Sequence, residues 1–303
     1  MLNRFTKFEI ATAIAVFFHS IGLVGLLFFD KNFFLAATPF NLLLSFVLLI
    51  WTQTEKNIFF FLFLLISFGV GISVEIIGTN TGVLFGDYTY GNVLGFKIKN
   101  VPVLIGINWF IIIYCSGISI NTLLMKAINR VAADTGNTPM ALKALSVIID
   151  GATLAVFFDW LMEPVAVKLG YWTWNGDGSI PMFNYICWFI VSLLLLAVFH
   201  FAKFNKQNKF AVNLLLIQLM FFFIVKDFFE IDLMSWILLI AITLGTFVLM
   251  EGLTWCIHRY IMHGFLWSLH KDHHQKKPGI FEKMMPSFSC LQYQAGFLLC
   301  WVL

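Results

Sequence analysis

Long apolar runs recur along almost the whole chain, and they constrain its fold more than any other feature. Many of these runs reach about 17–25 residues, the length with which an α-helix crosses a bilayer. The 303 residues are 60% apolar and only 12% charged, whereas about a quarter of the residues in a soluble domain are charged. The pattern predicts an all-α, polytopic integral membrane protein.

The apolar runs define eight predicted transmembrane helices. They cover residues 9–29, 33–53, 57–77, 101–120, 143–161, 183–203, 210–226 and 233–255. Thr38-Pro39-Phe40-Asn41 interrupts the start of the second helix. The polar segment 126–143 is typical of a plain cytoplasmic loop.

Basic residues predict how the chain is oriented. With the N-terminus inside, 14 of the 19 Lys and Arg residues fall on inner segments, as the positive-inside rule requires. The net charge of only +3 gives no indication of a nucleic-acid partner. The five cysteines form no CxxC pair, so we infer no disulfide or redox role.

Five carboxylates stand in or beside the apolar runs. Glu75, Asp150 and Asp159 lie within predicted spans, Glu163 follows Asp159 by four residues on the same helix face, and Asp87 lies in a loop. An ionised carboxylate is costly in hydrocarbon, so such groups face a cavity or a partner and often mark function. We expect at least one catalytic acid among them, although capping or a place at the aqueous boundary would also explain each one singly.

Two glycine- and aromatic-rich connections, residues 78–100 and 161–182, fall on the predicted outer side. They carry Tyr88, Tyr90, Trp172 and Trp174. These side chains could line a binding site, but aromatic residues also gather at membrane interfaces without any site.

Five histidines crowd into residues 258–274, after the last apolar run. Neutral imidazole is the commonest nitrogen ligand for iron and zinc. The spacing therefore favours a metal site, with these predicted ligands: His258, His263, His270, His273 and His274.

The segments GDYTYGNVLGFKIKNVPVLIGINW (86–109) and DGATLAVFFDWLMEPVAVKLGYWTW (150–174) resemble the membrane-bound carotenoid-biosynthesis family. The resemblance covers about residues 10–225. This family includes carotenoid hydratases that act on acyclic ψ-end groups, among them bisanhydrobacterioruberin hydratase. The resemblance implies hydration of a lycopene- or γ-carotene-type substrate to a tertiary alcohol, in a bacterial-type cell (inner) membrane.

Hydration of an alkene needs an acid, a base and water, and no cofactor. The first 225 residues hold buried acids and almost no histidine, which fits this chemistry. Matching this sequence to the family residue by residue makes the five carboxylates the candidate acids and bases. It places the four loop aromatics around the end of the polyene. A non-catalytic carotenoid-binding membrane protein is an alternative, and no oligomeric state is predicted.

The segment GLTWCIHRYIMHGFLWSLHKDHHQKKPGIFEK (252–283) resembles the opening of bacterial β-carotene hydroxylases of the membrane fatty-acid-hydroxylase superfamily. The resemblance implies a diiron, O₂-dependent β-carotene 3-hydroxylase as the alternative activity. Only the first two histidine boxes are present, so the ligand set is expected to be incomplete and the oxygenase part inactive. The predicted topology places these histidines on the inner face and the carboxylates at 75, 87, 159 and 163 at outer span ends, so one spanning polyene could reach both.

Three regions are therefore predicted: a hydratase-like domain at 1–228, a hydroxylase-like fragment at 229–283 and a divergent tail at 284–303. The tail departs from the hydroxylase pattern at Met284. Loss of one adenine from codons for Lys-Asn-Asp-Ala-Phe-Phe gives codons for Lys-Met-Met-Pro-Ser-Phe, the order found at 283–288. We therefore expect the tail to be out of frame.

Overall fold

The computed structural model describes residues 5–135 and 140–230, without the side chains of residues 127–135, 140–143 and 230. The chain divides into two units, residues 1–230 and 231–303, and all described residues belong to the first. The predicted eighth helix, the histidine cluster and the divergent tail lie outside the described residues. The predicted domain boundaries stay a prediction.

Helices dominate the described part of the chain. Seven helical stretches there are long and apolar enough to cross a membrane, which confirms the prediction of an all-α polytopic membrane protein. The second stretch consists of two helices, α2 and α3, which meet before Pro39. The helices are α1 Lys7–Phe28, α2 Lys31–Ala36, α3 Thr38–Thr52, α4 Ile58–Thr81, α5 Leu104–Thr135, α6 Met140–Lys168, α7 Met182–Phe201 and α8 Lys209–Glu230.

The prediction of a loop over residues 126–143 is wrong. Helix α5 continues to Thr135 and α6 begins at Met140. No Gly or Pro occurs between Ile118 and Thr135, so nothing in that stretch interrupts the helix. Helix α6 also runs past its predicted end at 161 and includes Pro164, which places Glu163 inside a helix.

Helix α5 forms the centre of the described bundle. In the most apolar part of this helix, 78% of the residues are buried by protein, whereas the same fraction is 22–44% in the other six membrane-crossing stretches. It packs against α3, α4, α6, α7 and α8. The other helices are left with broad apolar surfaces, such as Phe17, Leu65 and Leu194, and these surfaces suit contact with lipid tails.

Two short two-stranded antiparallel sheets cover one end of the bundle, which we call the strand end. Strand β1 (Tyr88–Tyr90) pairs with β4 (Trp172–Trp174), and β2 (Lys97–Ile98) pairs with β3 (Val101–Pro102). Because successive spans alternate in direction, the loops after α4 and α6 meet at this end. The β1–β4 pairing joins these two loops across the bundle.

Glycine allows the two loops to cross closely beside β1 and β4. The Gly91 N–H donates to the Tyr171 carbonyl oxygen at 2.8 Å. A Cβ atom at Gly91 would lie 2.1 Å from the Gly170 carbonyl oxygen, a distance that no side chain tolerates. Any larger residue at position 91 would therefore push β1 and β4 apart.

A buried polar network holds the opposite end of the bundle together. The Tyr114 hydroxyl donates to Gln53 Oε1 at 2.5 Å, and Asn208 Nδ2 donates to Tyr114 and to Thr52 Oγ1, each at 3.1 Å. Gln53 Nε2 also donates to the Asn205 carbonyl oxygen. These bonds join α3, α5 and the segment before α8, so both ends of the bundle are fixed.

The packing of α4 against α5 gives a test of the fold. A Cβ atom at Gly71 would lie 2.6 Å from Trp109 on α5, whereas one at Gly69 meets nothing within 4 Å. We expect Gly71→Ala to lower the free energy of unfolding by about 1–3 kcal/mol, as overpacking does. Gly69→Ala on the same helix should change it by no more than about 1 kcal/mol.

Unfolding of both variants in detergent micelles measures the difference. Equal stability of the two variants would contradict the close approach of α4 and α5.

Candidate functional site

Three carboxylates from two helices meet in one buried pocket beneath the strand end. Glu75 comes from α4, and Asp159 and Glu163 come from α6. Their exposed fractions are 5%, 0% and 2%. The pocket volume is about 30 Å³, which is enough for a water molecule. Its other lining residues are Phe85, Tyr88, Tyr90, Ile105, Asn108, Trp109, Met162, Trp172, Trp174, Asn184 and Trp188.

Glu75 accepts three hydrogen bonds from aromatic side chains. The hydroxyls of Tyr88 and Tyr90 donate to Oε2 at 2.5 and 2.7 Å. The Trp109 indole N–H donates to Oε1 at 3.0 Å. Both carboxylate oxygens therefore have donors, which offsets the cost of burying the group.

Glu163 is held by the facing strand. The indole N–H groups of Trp172 and Trp174 both donate to its Oε1, at 2.7 and 2.6 Å. Side chains alternate along a strand, so these two indoles lie on the same face of β4. Register then places Tyr88 opposite Trp174 and Tyr90 opposite Trp172, and the four donors form one layer over the pocket.

Asp159 has far fewer partners than its neighbours. Asn184 Nδ2 on α7 donates to its Oδ2 at 2.9 Å. Its Oδ1 is buried and has no hydrogen-bond partner within the described residues. Among the three carboxyl groups, Asp159 is thus the one with a fully buried oxygen that has no partner in the described structure.

The two tyrosines of β1 are held as hydrogen-bond donors. Burial, and then the nearby charge of Glu75, raise the pKa of Tyr88 and of Tyr90 well above the usual value of a phenol. Both phenols therefore keep their protons far into the alkaline range and continue to donate to Glu75.

Aromatic faces line the remainder of the pocket. The rings of Trp109 on α5 and Trp188 on α7 stack with centroids 3.9 Å apart and planes 12° apart. Tyr88 lies 5.0 Å from Trp174, centroid to centroid, and Tyr90 lies 5.8 Å from Trp172. Such faces carry negative potential and attract a cation.

The structure brings together seven of the nine carboxylates and aromatics predicted for this site. They are Glu75, Asp159, Glu163, Tyr88, Tyr90, Trp172 and Trp174. Asp159 and Glu163 lie on the same face of α6, as predicted, and both line the pocket. Asp150, nine residues before Asp159, lies on another face of α6, as predicted, and is exposed.

The other two predicted residues lie apart from the pocket lining. Asp150 accepts a hydrogen bond from Ser146, one turn earlier on α6. Asp87 is exposed and accepts a hydrogen bond from Asn175 Nδ2 at 2.7 Å. In the described structure both have local partners and neither lines the site.

The sequence reasoning did not single out Trp109, Asn184 or Trp188, which all line the pocket. Trp109 and Trp188 lie inside apolar spans, where a tryptophan is ordinarily read as core. Asn184 lies two residues into α7, where an asparagine is ordinarily read as a terminal residue. Polarity within an apolar span is the signal that could identify such residues, but it is weaker for an amide or an indole than for a carboxylate.

A second, larger cavity adjoins the pocket. Its volume is about 290 Å³, and residues of α1, α2, α3, α6 and α8 line most of it. The walls are mainly Phe, Leu and Ile. Four residues line both cavities: Ile105, Asn108, Met162 and Trp172. An apolar chamber thus lies next to the carboxylates.

The described residues do not include the predicted metal ligands. Within residues 5–135 and 140–230, no group of three or more His, Cys, Asp or Glu side chains is arranged to hold a metal ion. The predicted ligands from His258 to His274 lie outside the described residues. The iron prediction therefore stays a prediction.

Comparison with known proteins gives a family and one short similarity. The family described as "Carotenoid biosynthesis protein" matches residues 35–251, past the predicted domain boundary at 228. A 35-residue stretch is 49% identical to the "Beta-carotene hydroxylase" of Pseudescherichia vulneris and covers 12% of this chain. The chain thus spans only 20% of the length of that relative. No solved structure matches the chain.

The raised pKa values of Tyr88 and Tyr90 predict how stability changes at high pH. A phenol in the unfolded chain loses its proton above about pH 10, whereas these two keep theirs in the folded protein. Folding stability should therefore be unaffected by them below about pH 10 and should fall as the pH rises further.

Thermal unfolding between pH 8 and 11 measures this loss. The double variant Tyr88→Phe/Tyr90→Phe should lose stability less steeply above pH 10 than the unchanged protein. A parallel fall in both proteins would show that the two phenols ionise normally in the folded state.

Proposed function

The chain belongs to the carotenoid biosynthesis protein family, and from this we propose that it hydrates an acyclic end of a carotenoid. The substrate would be a lycopene- or γ-carotene-type polyene, and the product a tertiary alcohol with a 1-hydroxy-1,2-dihydro end group. The observation that carries the proposal is a water-sized pocket with three buried carboxylates beside an apolar cavity.

Asp159 is the proposed proton donor. No described donor faces its Oδ1, so a proton can reside on that oxygen and point into the pocket. Transfer of this proton to one carbon of the terminal double bond leaves a tertiary carbocation on the other carbon. The indole and phenol faces around the pocket would stabilise that cation.

Glu163 is the proposed base that activates water. Its Oε1 is held by two indole N–H groups, which leaves Oε2 to accept a proton from the attacking water. The water oxygen bonds to the cation, and Glu163 takes the released proton. Asp159 and Glu163 are neighbours at i and i+4, so the proton can return to Asp159 and restore the starting state.

Glu75 has a different part in this proposal. With three donors on its two oxygens, it suits a permanent acceptor that orients the pocket and adds negative charge near the cation. Acid, base and water supply all atoms of the reaction, so the proposed hydration uses neither metal nor O₂.

The larger cavity is the proposed place of the polyene. Its mainly apolar wall suits a hydrocarbon chain, and its shared residues, Asn108 and Trp172 among them, lead to the carboxylates. A polyene in this chamber would present its end to Asp159, while the rest of the molecule would extend along the apolar helices.

Asp159→Asn should reduce hydration by at least about 100-fold, the usual contribution of an acid catalyst. Asp150→Asn is the matched control, because it is the same change on the same helix at an exposed position. Asp150→Asn should keep turnover. The measurement is pigment analysis of a lycopene-producing host, with protein levels compared by immunoblot.

Two outcomes would contradict the proposed chemistry. Full turnover by Asp159→Asn would remove Asp159 from the site. A product that forms only with O₂, or that is lost with an iron chelator, would favour the alternative iron-dependent hydroxylase, which rests on the similarity of 35 residues.

Filling the cavity should hinder the substrate without disturbing the fold. Gly22 lines the cavity, and an added Cβ atom there meets nothing within 4 Å. We expect Gly22→Leu to lower kcat/KM at least several-fold. Gly69→Leu, equally open but not among the cavity-lining residues, should leave it unchanged.

Titration of each purified variant with substrate in micelles measures kcat/KM. An equal kcat/KM for Gly22→Leu and the unchanged protein would show that the polyene does not use this cavity.

A further inference from the structure

Several polar side chains interrupt the apolar wall of the larger cavity, among them three amide or imidazole groups on α1, α3 and α8. They are His19 on α1, Asn41 on α3 and Gln218 on α8. None of them lines the carboxylate pocket. The proposed hydration makes no use of them, although polar groups in such a chamber are costly unless they bind something.

The two amides lack the partners that buried polar groups normally have. Gln218 is only 8% exposed, and its Oε1 is buried without a hydrogen-bond partner in the described part of the chain. Oδ1 of Asn41 is also buried and also has no hydrogen-bond partner in that part of the chain. Both carbonyl oxygens come from helices that border the cavity, so a ligand there can reach them.

His19 adds a third acceptor. Its Nδ1 lies 2.8 Å from the Ala15 carbonyl oxygen, which can only accept. Nδ1 must therefore carry the proton, and in the neutral ring Nε2 is left as an acceptor. A chamber whose wall is mainly apolar thus offers acceptors from three helices.

We propose that this cavity recognises a hydroxyl group on the bound isoprenoid, with Gln218 and Asn41 as its specificity-determining residues. The inference rests on the proposed function, because it takes the cavity to be the polyene site. A hydroxyl donates to an amide oxygen and accepts from an amide N–H, while the apolar wall contacts the hydrocarbon. Among lycopene- or γ-carotene-type polyenes, the preferred ligand is therefore one that already carries a hydroxyl group.

A ligand hydroxyl in the cavity also explains why the two amide oxygens have no partner within the described residues. Hydrogen-bonding groups that await a ligand discriminate strongly against an analogue without the matching group, because that analogue leaves them unpaired. A leucine at position 218 would fill similar space and would be more stable in the unliganded protein. Gln218 therefore suits ligand recognition better than it suits packing.

Measurements of ligand binding test the proposed hydroxyl recognition separately from the hydration reaction. The full-length protein in micelles is titrated with two polyenes of equal length and conjugation, a carotene and its derivative with one end-group hydroxyl. Quenching of tryptophan fluorescence reports binding, since Trp172 lines the cavity. The unchanged protein should bind the hydroxylated polyene about tenfold more tightly, the value of one hydrogen bond of ordinary strength.

Gln218→Leu and Asn41→Leu should each reduce this preference, and Gln218→Leu should also raise the thermal unfolding temperature of the unliganded protein. Gln207→Leu is the matched control, because Gln207 is exposed and is not a cavity residue. It should keep the tenfold preference.

Equal affinity of the unchanged protein for both polyenes would overturn the proposal, and a water molecule would then be the partner of the amides. A preference that survives in both Gln218→Leu and Asn41→Leu would overturn it as well. If the preference follows Gln218 but no hydrated product forms, the hydroxyl site stands and the proposed hydration fails.

Discussion

The burial of three carboxylates inside a membrane-spanning bundle is the constraint on which the rest of the site depends. Each is an expensive group in an apolar surrounding, and the described structure offsets that cost with phenol, indole and amide donors. Four of the six donors come from β1 and β4. The pairing of these two three-residue strands, which lie outside the helices, thus lowers the free-energy cost of burying the acids within the helices.

Close backbone contacts keep those donors in place. Gly91 crosses the Gly170 carbonyl at a distance that excludes any side chain, and Gly71 gives room to Trp109. The Trp109 indole then reaches Glu75 and stacks on Trp188. Donor geometry, helix packing and strand pairing therefore depend on one another, so a change in any one of them would leave a buried carboxylate without partners.

The sequence predicted the helices well because a bilayer demands long apolar runs, and it predicted the acids because a carboxylate stands out in such a run. It wrongly predicted a loop over residues 126–143, because the polarity of residues 126–135 hides an uninterrupted helix. Periodicity separated Asp150 from Asp159 correctly. The convergence of Glu75 with Glu163 needed the β1–β4 pairing, which joins residues about 85 positions apart and leaves no local pattern.

The distribution of unsatisfied groups separates what holds the fold from what awaits a ligand. At the end opposite the strands, Tyr114, Gln53 and Asn208 satisfy one another, and the network only stabilises the bundle. Beside the larger cavity, Oε1 of Gln218 and Oδ1 of Asn41 have no partner within the described residues, and the same is true of Oδ1 of Asp159 in the pocket. Four serine hydroxyls in the described helices are also buried without a partner, but none of them lines either cavity. The three amide and carboxyl oxygens instead lie around two adjoining spaces, where an isoprenoid and a water molecule would complete them.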